Sequence, residues 1–254
     1  LWTARLPQSL KAKAPYIKRV GAMDYWHIGD EVISPGGASV IDKKRNKTLG
    51  RLSLPTVEQI HPGAYEVDAR VKFMDDMGIW AQIAYPNSFA GSSVSLLQWV
   101  DKEFAETLIK IYNDDRADFQ KRSNNRIFPM ALLPVWDSKA MEKEARRCLE
   151  DLDMKGFNLP DRPEQFGIPS FTEDHWAPLF EICDAKEIPI NFHIATGGID
   201  GFSITWKDFE FQTKLAIGAM LFYIGNAATL GNFIVSGLMD KYQKMKIVSV
   251  ESGI

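Results

Sequence analysis

From residue 65 onward, short apolar segments alternate with longer stretches at helical spacing, and this alternation restricts the fold more than any other feature of the chain. Residues 79–86, 126–134, 155–160, 187–194 and 246–251 read as strands, being short, apolar and bounded by turn residues. Between and around them, residues 66–77, 95–121, 138–152, 173–186 and 208–223 carry helical patterns, with one or two more helices in 226–243. Ser138 and Thr172 are the expected N-caps of two of these helices. Each crossover is long enough for a helix, so the strands are expected to be parallel. An open doubly wound sheet and a (β/α)8 barrel both satisfy that pattern. No strand is followed directly by G-x-G-x-x-G, which disfavours the dinucleotide-binding form of the open sheet. The expectation is an α/β fold, a (β/α)8 TIM-like barrel, incomplete because five strands are visible and its first and last strands are missing. Opening on Leu1 instead of Met agrees with a piece of a longer polypeptide.

Residues 1–75 have a different texture. Pro7, Pro15, Pro35, Gly36, Gly37, Pro55, Pro62 and Gly63 interrupt them too often for long helices or a regular sheet. We expect an irregular segment lying on the barrel, with one small hairpin near residues 25–33. Residues 76–254 are then a partial barrel, and the whole is one domain. His27 and His61 read as loop histidines.

With 254 residues, of which 45% are hydrophobic and 25% charged, the chain can bury a large core. The net charge of -3 and the lack of a basic face argue against a nucleic-acid partner. The longest apolar run, residues 215–225, is about half of a membrane span and reads as a buried helix, so no membrane partner is expected. Cys148 and Cys183 lack a C-x-x-C spacing, which fits a reducing cytoplasm and gives neither a disulfide framework nor a zinc cluster.

Within residues 187–198, alternation puts Asn191 and His193 on one face of a strand, near its carboxyl end and ahead of Gly197 and Gly198. Catalytic barrels and open α/β sheets place their chemistry at that end. Read from this segment alone, His193 is either a site residue or a core histidine hydrogen-bonded to a neighbour.

A wider set of segments resembles a known family. Gly63-Ala64-Tyr65, Arg70-Val71-Lys72-Phe73-Met74, Asp76-Met77-Gly78-Ile79, Ala131-Leu132-Leu133-Pro134, Lys155-Gly156-Phe157-Asn158-Leu159-Pro160, Ile190-Asn191-Phe192-His193-Ile194 and Val250-Glu251-Ser252-Gly253, in this order, resemble the amidohydrolase-related metal enzymes. Within them the resemblance is to the branch that includes aminocarboxymuconate semialdehyde decarboxylase and the resorcylate-type decarboxylases. It implies a distorted (β/α)8 barrel with a divalent metal, zinc or manganese, at the carboxyl ends of its strands. In that family the ligands are a His-x-His or His/Glu pair on the first strand, a histidine on the fifth and an aspartate on the eighth. Taking the visible strands as the second to the sixth puts His193 on the fifth, as a metal ligand, with Asn191 as its neighbour on the substrate side.

The chain departs from the family in two places. The first-strand ligands and the eighth-strand aspartate are not among these residues. Glu251 stands where relatives often carry a histidine followed by glycines; it is the candidate catalytic residue, and a carboxylate hydrogen-bonded to backbone is the plainer reading. Asn158, ending the strand at 155–160, is a candidate substrate contact, and Tyr85 and Asn87 hold the matching place after residues 79–86. Phe157, Phe192 and Phe202 read either as an apolar pocket wall or as core. The resemblance thus implies a metal-dependent enzyme acting on a small carboxylated, aromatic or unsaturated substrate by hydrolysis or non-oxidative decarboxylation. The alternative is a non-catalytic barrel that binds a small molecule or partner without metal. The helices from Asp208 to Tyr242 are expected to pack on the barrel, a homo-oligomer interface being the other use for them.

Overall fold

Strands β1 (Tyr16–Val20), β2 (Met23–Ile28) and β3 (Glu31–Pro35) form an antiparallel sheet in that order. They lie within the stretch expected to be irregular. Gly21 and Gly29, at the first central position of two-residue turns, adopt φ of 60° and 57°, as tight hairpins of this kind require. The β2–β3 hairpin falls where one was expected, near residues 25–33, whereas β1 escaped the sequence pattern because four of its five residues are exposed and no apolar alternation marks it. The computed structural model that shows this describes residues 1–37, 39, 41–48, 52–87, 92–194 and 209–252.

The chain forms two compact units, Leu1–Gly91 with Ser95–Pro129, and Ser92–Val94 with Met130–Ile254. Besides the antiparallel sheet, the first unit holds α1 (Trp2–Arg5), α2 (Val67–Asp76), β4 (Gln82–Ala84), α3 (Lys102–Arg122) and β5 (Ile127–Pro129). β4 and β5 pair in parallel. β4 is shorter than the apolar run suggested, because Ile79 and Trp80 belong to the approach to it, where their carbonyls accept hydrogen bonds from the Arg126 guanidinium. α3 starts later than expected. Residues Ser93–Gln98 form a 3-10 turn, and the Asp101 carboxylate then caps α3 by accepting the Phe104 N–H at 2.8 Å.

The second unit contains α4 (Ser138–Glu150), β6 (Phe157–Leu159), α5 (Ala177–Lys186), β7 (Pro189–His193), α6 (Phe211–Val235), α7 (Leu238–Lys241) and β8 (Lys246–Val250). β6, β7 and β8 form a parallel sheet in chain order, and Ala131 adds a parallel bridge to Phe157. The five strands anticipated from residue 65 onward are all present. Gly156 leads into β6 where the backbone runs too close to its neighbours for a side chain. A Cβ there would lie 2.6 Å from Met130 Sδ and 3.2 Å from Pro189.

Two expected caps are corrected. Asp137, not Ser138, caps α4 by accepting the Ala140 N–H, while the Ser138 hydroxyl donates to the His175 carbonyl. Thr172 makes no cap either; its hydroxyl bonds Ser170, and a 3-10 turn, Asp174–Trp176, precedes α5. The core between α5, α6 and the sheet is aromatic: Phe171, Trp176, Phe180, Phe192 and Phe233 meet with ring centroids 4.7–6.4 Å apart. Phe157 and Phe192 are therefore core and not pocket wall, and Phe202 lies outside the described residues.

Where two or more helices were expected after residue 208, the long one, α6, runs unbroken from Phe211 to Val235. By length and composition its Ala216–Val235 portion is apolar enough to cross a membrane, which the shorter run taken from the sequence did not suggest. Its last turns bury Phe233 but also two polar residues. Asn226 and Thr229 are buried, whereas Ile234 and Val235 are 63% and 85% exposed.

Candidate active site

His193 is the last residue of β7 and sits in register with Val250, the last residue of β8. Glu251 follows immediately. Parallel pairing thus delivers one imidazole and one carboxylate to the carboxyl edge of the same sheet, with His193 Nε2 3.8 Å from Glu251 Oε2. Glu251 adopts φ of 59°, in the left-handed region that non-glycine residues seldom occupy. Such a backbone costs about 1–3 kcal/mol and persists only where the surroundings enforce it, a condition met most often at functional sites.

The proton positions follow from the neighbours. His193 Nδ1 lies 3.1 Å from the Ile194 carbonyl, which can only accept, so Nδ1 carries the hydrogen and Nε2 of the neutral ring carries the lone pair. That lone pair and the Glu251 carboxylate share the same small space. Two electron-rich groups at this distance repel unless a positive charge lies between them, either a proton on the imidazole or a bound cation. Two bonds of about 2.1 Å span at most about 4.2 Å, so donors 3.8 Å apart can share one ion. One imidazole and one carboxylate also form a donor pair suited to zinc or manganese. They fit part of a ligand set: among the described residues no group of three or more His, Cys, Asp or Glu side chains converges.

The two asparagines expected at the site are placed differently from the histidine. Asn158 and Asn191 face each other in register on β6 and β7, and both are buried. The Asn191 amide donates to the Phe157 carbonyl at 3.0 Å and to Met130 Sδ at 3.1 Å, bracing neighbouring backbone one pleat behind His193. Tyr85 and Asn87 are brought together in the first unit, where they line a cavity of about 640 Å³ with Trp2, Trp26, Arg70 and Tyr112. Its size suits a small molecule. The Arg70 guanidinium on that cavity is held by the Gln82 side chain at 2.8 Å and the Gly63 carbonyl at 3.1 Å, and burial lowers its pKa. Neither His193 nor Glu251 is among the residues that line this cavity.

His27 and His61 both have structural surroundings. His27 is buried in β2 with its ring stacked on Tyr16, and His61 Nδ1 accepts the Gly63 N–H at 3.0 Å. The expected loop Gly197 and Gly198 lies outside the described residues.

One polar residue near the site went unread. Asn226 of α6 inserts its amide between the ends of β7 and β8, next to Ser249 and Ser252. The available signal was a pair of polar residues one turn apart, Asn226 and Thr229, within the apolar stretch of α6 from residue 215 to 231.

A family model described as amidohydrolase matches residues 60–254, well over half of the chain. The chain belongs to the amidohydrolase family. No curated protein sequence matches it. Among solved structures it is similar to an amidohydrolase from Mycobacterium avium subsp. paratuberculosis, with TM-score 0.70, 18% identity, and coverage of 98% of this chain and 68% of that one. It is also similar to 2,6-dihydroxybenzoate decarboxylase from Rhizobium, with TM-score 0.53, 21% identity, and coverage of 72% and 55%. A third is 5-carboxyvanillate decarboxylase from Novosphingobium aromaticivorans, solved with manganese, with TM-score 0.56, 20% identity, and coverage of 71% and 47%. The chain thus spans between about half and two thirds of these relatives' lengths. The likeness establishes a TIM-barrel-like α/β fold for this amidohydrolase, and the parallel strands β4 to β8 are its share of that fold within the described residues.

Proposed function

We propose that this amidohydrolase is a metal-dependent enzyme acting on a small carboxylated substrate, aromatic or unsaturated, with non-oxidative decarboxylation favoured over hydrolysis. The observation that carries the reading is the meeting of His193 Nε2 and Glu251 Oε2, 3.8 Å apart, at the carboxyl ends of adjacent parallel strands. Decarboxylation is favoured by two solved relatives that are named as decarboxylases of hydroxylated aromatic acids. In this reading β4 to β8 are consecutive strands of one eight-stranded barrel domain, and residues 1–75 lie on it.

His193 would hold a zinc or manganese ion, and Glu251 is the neighbouring residue that could share it. The bound ion supplies a Lewis acid that polarises a carboxylate or carbonyl oxygen. The rest of the chemistry belongs to the chain. The Ile194 carbonyl keeps the hydrogen on His193 Nδ1 and so keeps Nε2 available as a donor atom. Glu251, with its side chain 63% exposed, is within reach of solvent and would relay a proton from it through the carboxylate oxygen that does not face the ion. Delivery of that proton to the ring carbon bearing the carboxylate lets the carbon–carboxylate bond break. Its electron pair returns to the ring as carbon dioxide leaves. In a hydrolysis, the same carboxylate takes a proton from water. Asn158 and Asn191, buried on β6 and β7 behind the histidine, would back the substrate side of the site, with Asn191 bracing the Phe157 carbonyl.

Metal analysis of the purified protein, before and after reconstitution with zinc or manganese, tests the reading. We expect stoichiometric metal in the wild type and a clear loss in His193→Ala, with carbon dioxide released from hydroxylated benzoates or muconate-type acids. A wild type that holds no metal after reconstitution would sink it and leave a barrel that binds its ligand without catalysis.

A further inference from the structure

Asn226 sits on α6, 1% exposed, and its amide nitrogen is surrounded by four oxygens from two strand ends. Nδ2 lies 3.0 Å from the Phe192 carbonyl, 3.3 Å from the Val250 carbonyl, 2.7 Å from Ser252 Oγ and 3.2 Å from Ser249 Oγ. Two of these are backbone carbonyls, which only accept, so the donor end of the amide faces them. The identity of these carbonyls matters. The Phe192 carbonyl belongs to the peptide that joins Phe192 to His193, and the Val250 carbonyl to the peptide that joins Val250 to Glu251. One buried amide therefore grips both peptide groups from which the imidazole and the carboxylate depart.

The surroundings complete a clamp. Ser249 Oγ and Ser252 Oγ are 2.6 Å apart, closing the turn on which Glu251 takes its left-handed backbone. The Val250 carbonyl also accepts the Ile194 N–H at 3.3 Å, the last rung between the two strands. A left-handed glutamate needs surroundings that enforce it, and Asn226 with the two serines supplies them.

We infer that Asn226 is a positioning residue. It sets the separation of His193 and Glu251 by holding the ends of β7 and β8 together from the helix side. As a statement about reactivity this rests on the proposed metal-dependent function; as a statement about the strand ends it stands apart from it.

The test compares Asn226→Ala and Asn226→Asp with Thr229→Val. Aspartate keeps the shape of the side chain but cannot donate to the two carbonyls. Thr229 lies one turn further along the same helix, and its hydroxyl donates to the Asp161 carbonyl at 2.6 Å, not to β7 or β8. Thr229→Val thus matches the loss of a buried hydrogen bond on α6 without touching the clamp. Hydrogen exchange at the Ile194 amide, measured without metal, reads the clamp directly. We expect exchange there to rise by about tenfold or more in both Asn226 variants and to stay at the wild-type rate in Thr229→Val. Manganese titration reads the consequence, with affinity weakened by about 10–100-fold in the Asn226 variants only. Should the Asn226 variants fold poorly, Ser252→Ala removes the 2.7 Å partner from the exposed side and is expected to shift both readouts in the same direction, by less. Wild-type protection at Ile194 in the Asn226 variants, or equal loss in Thr229→Val, overturns the inference. A wild type that takes up no manganese instead overturns the functional reading, and the exchange rates then decide the role of Asn226 alone.

Discussion

Replacing Phe233 by Ala removes the ring on which the aromatic core of the second unit converges. Phe233 is fully buried, and its ring centroid lies 5.0 Å from Phe171, 5.3 Å from Phe192 and 5.8 Å from Phe180. Truncating a buried phenylalanine costs about 3–5 kcal/mol through lost burial and the cavity left behind. The ring here is enclosed on three sides by other rings, which have little freedom to collapse inward, so the upper half of that range applies. At roughly 2–4 °C per kcal/mol for a chain of this size, the melting temperature should fall by about 8–20 °C. Phe233→Leu keeps most of the volume and loses the ring geometry. In a double-mutant cycle with Phe171→Leu, the coupling should be about 0.5–1.5 kcal/mol, the value for one aromatic pair beyond its area. Urea unfolding followed by hydrogen exchange over β7 reads the effect locally, because Phe192 belongs both to that strand and to the cluster. A cost below about 1 kcal/mol for Phe233→Ala, or strict additivity in the cycle, would refute the idea that this cluster holds α6 on the sheet.

Two further outcomes follow from individual groups. The Asp24 carboxyl is held below the usual range, first by the Arg19 guanidinium and then by the Val57 N–H, so its contribution to stability is present above the ordinary aspartate value of about 3.9 and is lost as pH falls through the lower folded value. Unfolding midpoints measured from pH 5 down to pH 2 should drop less steeply for Asp24→Asn than for the wild type, and an identical slope would count against the assignment. Burial pushes the Cys183 thiol up to about 12, and Cys148 is buried as well, so neither should react with a thiol-specific reagent at pH 8 until the chain is unfolded. Prompt labelling of the native protein would contradict this packing.

The parallel part of the fold was legible because each strand from 79–86 onward is a short apolar run separated by enough residues for a helix, and this spacing survives errors of several residues at either end. Boundaries were less legible. Asp137 took the capping role expected of Ser138, since both are good caps and only the backbone decides which side chain reaches the third amide. In the antiparallel sheet of the first unit the β2–β3 hairpin was legible, but β1 was hidden by exposure, as a strand joined through a tight glycine turn can pair without a buried stripe. At the candidate site, the place of His193 at a strand end could be read from alternation. Its meeting with Glu251 could not, because it depends on the register of β7 against β8 and on a left-handed backbone at the carboxylate. Asn226 was invisible for a related reason: two of its four partners are backbone carbonyls, which carry no sequence signature.

The buried polar residues of α6 bear on how this protein can be altered. Hydropathy normally tells an engineer to keep apolar residues and vary polar ones, and at Asn226 and Thr229 that advice is backwards. Ile234 and Val235 face outward, where charged replacements meet water. An apolar residue at Asn226 or Thr229, which a hydropathy profile would welcome, strips donors from the Phe192, Val250 and Asp161 carbonyls inside the structure. A sequence optimised for a greasier helix would thus lose the hydrogen bonds that tie that helix to its sheet.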